Sequence, residues 1–184
     1  MNRENAGTAT PATNARALFA PFTLGGITLE NRIVMPAMTR CMSPNGIPGP
    51  DVAAYYGRRA GNGVGLIITE GTWVPHPGAS NDDNAPRFHG DDALAGWQRV
   101  VAEVHAAGGR IMPQLWHVGL QLKPEIANLY EQSGGLEARL VGPSGIAGGI
   151  GRDLAPVAPP MSQQDIDSVV DAFAQAAEHA FRLG

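Results

Sequence analysis

Three short segments hold most of the residues that could do chemistry. They are Pro36-Ala-Met-Thr-Arg40, Thr69-Glu-Gly-Thr72 and Gln114-Leu-Trp-His-Val-Gly119. Between them they offer a hydroxyl (Thr39), a carboxylate (Glu70), a primary amide (Gln114), an indole (Trp116) and an imidazole (His117). None is a strong nucleophile with a base beside it, so the set does not describe acyl or phosphoryl transfer. Hydrogen-bonding and stacking groups of this kind suit a planar heteroaromatic cofactor. Thiol and metal chemistry find less support. Cys41 is the single cysteine, which excludes an internal disulfide and a cysteine-based zinc cage. Its one cationic neighbour in sequence is Arg40, which favours an inert thiol over a reactive one. His76, His89, His105 and His179 have no ligand-like spacing.

Each candidate also has a purely structural reading. Thr39 could bond backbone in a turn. Gln114 could be a satisfied core amide, and Trp116 plain core packing. His117 suits a pocket mouth or a surface loop equally. Glu70 reads as a buried structural carboxylate rather than an acid or base, and Arg40 as a cation that pairs with a carboxylate to fix its loop.

The elements that would position these residues follow from the apolar pattern. Residues 1–16 carry almost no large apolar side chain and read as a mobile tail, leaving 17–184 as the folded domain. Gly25-Gly26 between β-formers predicts a tight hairpin over 22–29. Arg32 to Pro36, Val64 to Thr69 and Arg110 to Trp116 read as buried strands. Helices are expected after Asp51 (taken as its N-cap), from Asp91-Asp92 to Gly108, and from a Ser162 cap to the C-terminus. Ile166, Val169, Val170, Phe173, Ala177, Ala180 and Phe181 would form the apolar stripe of the last helix.

The order is therefore a hairpin and then three β-α units. Long loops follow the strands, and short glycine-rich turns follow the helices. That asymmetry predicts an α/β fold of TIM-barrel type, with its site on the loops at the strand C-termini. A doubly wound sheet is the alternative, but no Gly-rich turn follows the first strand. A complete (β/α)8 barrel needs about 250 residues. At 184 residues, the chain reads as an N-terminal portion of such a barrel.

Composition narrows the partners. Hydrophobic residues make up 43% and charged residues 16%, which excludes a disordered polyelectrolyte. The net charge is -4 and the pI near 5.7, so nucleic acid is not an expected partner. No apolar run approaches the ~20 residues of a membrane helix, and the N-terminus has no hydrophobic signal core. A soluble cytoplasmic location without membrane attachment is the expectation.

The same segments carry a family resemblance. Asn31-Arg-Ile-Val-Met-Pro-Ala-Met-Thr-Arg40, Gly65-Leu-Ile-Ile-Thr-Glu-Gly-Thr72, Ala95 to Gly109 and Gln114 to Gly119 resemble the Old Yellow Enzyme family, in order and spacing, over roughly residues 18–184. Its members are FMN-dependent NAD(P)H oxidoreductases, often called ene-reductases. The resemblance implies an FMN-binding barrel domain closed at its N-terminal face by the hairpin. It implies that Pro36, Ala37, Met38 and Thr39 lie along the flavin, with the Thr39 hydroxyl on the C4 carbonyl, tuning its potential. Gly71 would allow close approach of backbone to the ring. Gln114 would pair with the pyrimidine edge. Trp116 and His117 would line the substrate side. The activity implied is hydride transfer from NAD(P)H through FMN to the β-carbon of an activated alkene, a small molecule conjugated to a carbonyl or nitro group.

Two departures qualify that reading. Leu120 stands where the family usually has Arg after Trp-His-x-Gly. The family's substrate-oxyanion residues, its Tyr proton donor and its flavin-phosphate site would all lie beyond Gly184. Three readings follow: a truncated part of a longer enzyme, inactive alone, which is the favoured one; a non-catalytic half-barrel that assembles with itself or a partner; and a non-catalytic remnant or a barrel enzyme of another chemistry, such as a lyase or isomerase.

Overall fold

A computed structural model describes residues 15–121, 140–147 and 153–184. Most of the expected tail, and much of the loop after Trp116, lie outside the described residues. A 3-10 turn, Ala15–Phe19, opens the fold. The strands β1 (Phe22–Leu24) and β2 (Ile27–Leu29) pair antiparallel as the expected hairpin. Both turn glycines have positive φ, 56° at Gly25 and 86° at Gly26. That is the backbone of a tight hairpin turn which other residues adopt at a cost.

The central sheet has three parallel strands in the order β3 (Val34–Met35), β4 (Leu66–Trp73), β5 (Arg110–Trp116). Helix α1 (Pro50–Ala60) links β3 to β4, and α2 (Asp91–Ala106) links β4 to β5. Helix α3 (Gln163–Leu183) follows β5 and packs on β5 and α2. Within the long segment between β5 and α3, Ile146–Ala147 (β6) and Ala155–Pro156 (β7) form a short antiparallel pair. Among the described residues each α-helix lies between one strand and the next or follows the last, as the β-α reading requires.

One face of the sheet builds the core. Ile67 of β4 is fully buried among Val52 and Tyr56 of α1 and Trp97, Val100 and Val104 of α2. The Trp97 indole N–H donates to the Arg87 carbonyl at 3.0 Å, so its one polar atom is satisfied. The opposite face is open. Val34 is 44% exposed and Met112 48% exposed. On β5, Ile111 and Leu115 pack against the core while Met112 and Gln114, offset by one residue, face the open side. In the described residues β3 and β5 are the sheet edges.

Several boundaries differ from the sequence expectation. Helix α1 starts two residues earlier, with Gly49 rather than Asp51 at the N-cap and Pro50 in the first turn. Proline has no N–H to satisfy there, so it displaces Asp51 from the cap, and Asp51 instead faces the helix dipole. Strand β4 runs on to Trp73 because Thr69 and Thr72 find partners inside the sheet, and Glu70 finds them in Arg40 and Cys41 after β3, so all three tolerate burial. The Ser162 capping box with Asp165 is present. The stripe of α3 is narrower than expected. Ala172 and Ala176 are buried and Phe173 half-buried, whereas Val170 and Phe181 are 60% and 88% exposed. Val170, Ala177 and Phe181 share a helix face that neither β5 nor α2 covers.

Candidate functional site

The three segments singled out in the sequence converge at the C-terminal ends of β3, β4 and β5. Parallel pairing puts them side by side, since Met35 aligns with Ile67, and Gly71 with Gln114. The β4–β5 register slips between Ile68 and Gly71. Beside this irregularity two threonine side chains bond the backbone of Gln114. Thr69 Oγ1 accepts from the Gln114 N–H at 3.1 Å and donates to the Glu70 carbonyl at 2.7 Å. Thr72 Oγ1 donates to the Gln114 carbonyl at 3.2 Å. Both hydroxyls are buried. Gln114 is thereby held by its backbone, and its side chain is exposed on the open face.

Trp116 lies on the same strand end. Its indole covers Gly71: a Cβ at position 71 would lie 2.2–2.6 Å from carbons of the six-membered ring, far inside van der Waals contact. The Trp116 Nε1 is buried and has no hydrogen-bond partner among the described residues. Thr39 and Met38 are exposed at the end of β3. Among the described residues neither the Thr39 hydroxyl nor the Gln114 carboxamide is engaged in a hydrogen bond. The structural reading of Gln114 as a satisfied core amide is therefore not the observed one.

Glu70 is the polar centre beneath this rim. Its side chain is fully buried. Oε1 accepts from Arg40 Nε at 3.0 Å and from Arg40 Nη2 at 2.5 Å. Oε2 accepts from the backbone N–H of Arg40 at 2.9 Å and of Cys41 at 3.0 Å. The Arg40 guanidinium lies 3.9 Å from the Tyr55 ring centroid and 5.1 Å from that of Tyr56. The Tyr56 hydroxyl accepts the Glu70 N–H at 2.9 Å. Burial pushes the Tyr56 phenol up to about 12, so it stays neutral. The sequence expectation that Arg40 fixes its loop through a carboxylate is met by Glu70.

The loops after β4 and β5 are tied together. Val118 N–H donates to the Ala79 carbonyl at 3.1 Å, and Asn81 Nδ2 to the Gln121 carbonyl at 3.0 Å. Between them His117 Nε2 lies 3.0 Å from His76 Nδ1. His117 Nδ1 accepts from the Gly119 N–H, and His76 Nδ1 from the Gly78 N–H. These bonds assign the proton of His117 to Nε2, which then donates to His76, with both rings neutral. Spacing alone gave no hint of this pair, because the residues are 41 apart in sequence.

Burial, reinforced by the neighbouring His76, lowers His117 from 6.5 to about 4. Burial also lowers His76, against a raising influence from Asp165 at the start of α3. His89, elsewhere, is lowered by burial and by Arg87. A lowered imidazole binds its proton less readily folded than unfolded. The stability this confers is complete above about 6.5 and is lost as pH falls toward 4. Urea unfolding between pH 7 and 4.5 should therefore show stability falling with pH, and His117→Asn should flatten the slope. A wild-type stability that is level or rising on acidification would contradict this.

Among the described residues no group of three or more His, Cys, Asp or Glu side chains is placed to hold a metal ion. No described helix is long and apolar enough to cross a membrane.

A parallel sheet with an open face, bearing amide, hydroxyl and indole groups at its strand C-termini, is the arrangement on which α/β barrels build their sites. The sequence profile of the NADH:flavin oxidoreductase / NADH oxidase family matches residues 17–184. The chain belongs to that family, whose Old Yellow Enzyme-type members are oxidoreductases. Chanoclavine-I aldehyde reductase of Penicillium roqueforti is 37% identical over 91% of this chain and 43% of its own length. Morphinone reductase, solved in complex with tetrahydroNAD, superposes with a TM-score of 0.74 at 34% identity, over 91% of this chain and 47% of that one. Old Yellow Enzyme from Pichia sp. AKU4542 gives a TM-score of 0.75 at 28% identity, over 90% and 43%. The fold is that of these (β/α)8 barrels, and the chain spans less than half the length of the relatives it matches.

The family implies FMN, and the residues present fit an isoalloxazine edge. The unengaged amide of Gln114 offers both donor and acceptor, and the Thr39 hydroxyl is exposed at the end of β3, one strand removed across β4. The chemistry of the donor set is that of a neutral heteroaromatic ring.

Proposed function

We propose that this chain supplies the flavin-edge half of an FMN-dependent ene-reductase. The observation that carries this reading is the unengaged Gln114 amide and Thr39 hydroxyl at the C-terminal ends of the two outer strands of one parallel sheet. Bound FMN would supply two-electron hydride chemistry between NAD(P)H and an activated alkene. Gln114, held by Thr69 and Thr72, would orient the pyrimidine edge through both its donor and its acceptor. Thr39 would donate to a ring carbonyl and favour the electron-rich reduced state. Pro36, Ala37 and Met38 would line the ring. Trp116 and His117 would bound the substrate side, with the neutral His76–His117 pair closing the rim without adding charge. The substrate oxyanion clamp, the proton donor and the phosphate site would come from chain outside these residues.

One observation favours assembly as a second reading. The open sheet face carries exposed Val34, Met38 and Met112, which an additional set of strands would cover. A second copy or a separate partner could provide them. FMN titration of the 184-residue chain, followed by size exclusion with flavin detection, tests both. Flavin co-eluting with protein, without measurable alkene reduction, is the expected result; elution at the mass of two or more copies would support assembly. Failure of the folded chain to retain FMN would overturn the flavin-edge reading.

A further inference from the structure

The backbone at Cys41 calls for an explanation. Its φ is +51°, the left-handed region that non-glycine residues avoid. Asn45 is the other such residue, at φ 56°, and asparagine enters that region readily. Cysteine has no such preference, so something must hold it. The holder is visible. Two successive backbone N–H groups, of Arg40 and Cys41, converge on one oxygen, Glu70 Oε2. This is an anion nest filled by a side chain of the same protein. The other oxygen, Oε1, alone serves the guanidinium. Glu70 is itself fixed by Tyr56 of α1 through its N–H.

We propose that Glu70 is a positioning residue for the flavin-edge segment. Its Oε2, acting on two backbone amides, and not its charge on Arg40, sets the conformation of residues 36–41 and so places Thr39. This extends the flavin-edge reading and rests on it. The division of labour between the two oxygens makes the idea separable from a plain ion pair. Removing Arg40 and Glu70 charges together avoids stranding either one. In the R40M/E70Q double variant, the glutamine Oε1 can still accept from both backbone amides. In R40M/E70M, a side chain of similar size offers no acceptor.

The measurements are hydrogen exchange of the Cys41 amide, made without flavin, and FMN affinity by fluorescence titration. The expected result is a protected Cys41 amide in the wild type and in R40M/E70Q, and fast exchange in R40M/E70M. FMN should bind about ten-fold or more weakly in R40M/E70M than in R40M/E70Q, as losing two buried acceptor contacts implies. Equal exchange in the two double variants would overturn the nest. Unequal exchange with equal FMN affinity would overturn the positioning role. Absence of FMN binding by the unsubstituted chain would sink the flavin reading instead, while the exchange data still decide whether Glu70 holds the turn.

Discussion

Urea unfolding of the Arg40→Met variant should show stability lowered by about 3–5 kcal/mol, among the largest losses any single change in this chain can produce. The reason is the position of its partner. Glu70 is 0% exposed, so its carboxylate cannot turn to water when the guanidinium is removed. Methionine fills much of the volume but leaves Oε1 with no donor. The contacts of the guanidinium with Tyr55 and Tyr56 are lost as well, each worth about 0.5–2 kcal/mol. The size of the effect does not mean that the pair itself stabilises the fold by that amount. Burying two charges costs nearly what their attraction returns. The R40M/E70Q double variant should therefore recover most of the loss. A loss below about 1 kcal/mol for Arg40→Met would place the pair among solvent-screened surface bridges, and Glu70 could not then be the dry centre described above.

The order of elements was legible because it rests on patterns one strand or helix long. The Gly25-Gly26 turn, the continuous apolar run before Thr69, and the Ser162–Asp165 capping box all appear where local chemistry places them. The width of the α3 stripe was not legible. Val170 and Phe181 are apolar at helical spacing, but burial needs a neighbour, and spacing does not say which side has one. The early start of α1 is a contest between two local signals, Asp51 as cap and Pro50 in the first turn, which the proline wins by needing no partner.

At the site, residue types were legible and their couplings were not. Thr39, Gln114 and Trp116 stand out as polar or aromatic groups closing apolar strands. Thr69 and Thr72 hold Gln114 across the strand pair, beside a register slip, and neither the pairing nor the slip leaves a mark in either strand alone. The usable signal was burial itself: three polar residues among four in Thr69-Glu-Gly-Thr72, continuing an apolar strand, must find partners. Asking where each hydroxyl and carboxylate is satisfied would have led to Gln114 and to the Arg40–Cys41 turn. The His76–His117 pair had no such signal, because it depends on how two loops fold over the strand ends.

Gly71→Ala should be the second large effect, and the geometry says why. The added Cβ would lie 2.2–2.6 Å from three carbons of the six-membered ring of Trp116, which no real contact allows. The backbone itself would tolerate alanine, since Gly71 is absent from the residues with positive φ, so the penalty is steric alone. Gly71 also pairs directly with Gln114 across the sheet. The strands cannot part without breaking the ladder, so the indole must move. Overpacking of this kind costs about 1–3 kcal/mol, and a rigid ring against backbone puts this case at the upper end. Near-ultraviolet circular dichroism should report a changed Trp116 environment alongside the lower urea midpoint. A G71A/W116L double variant should regain stability, because leucine vacates the volume that the new methyl needs. The same pair divides two meanings of the glycine. Recovery of FMN binding in the double variant would mean that Gly71 matters through the indole it accommodates. Stability regained without FMN binding would mean that the flavin ring itself needs the bare backbone at position 71. Wild-type stability and an unchanged tryptophan signal in the single variant would show that the indole does not lie on Gly71 in solution.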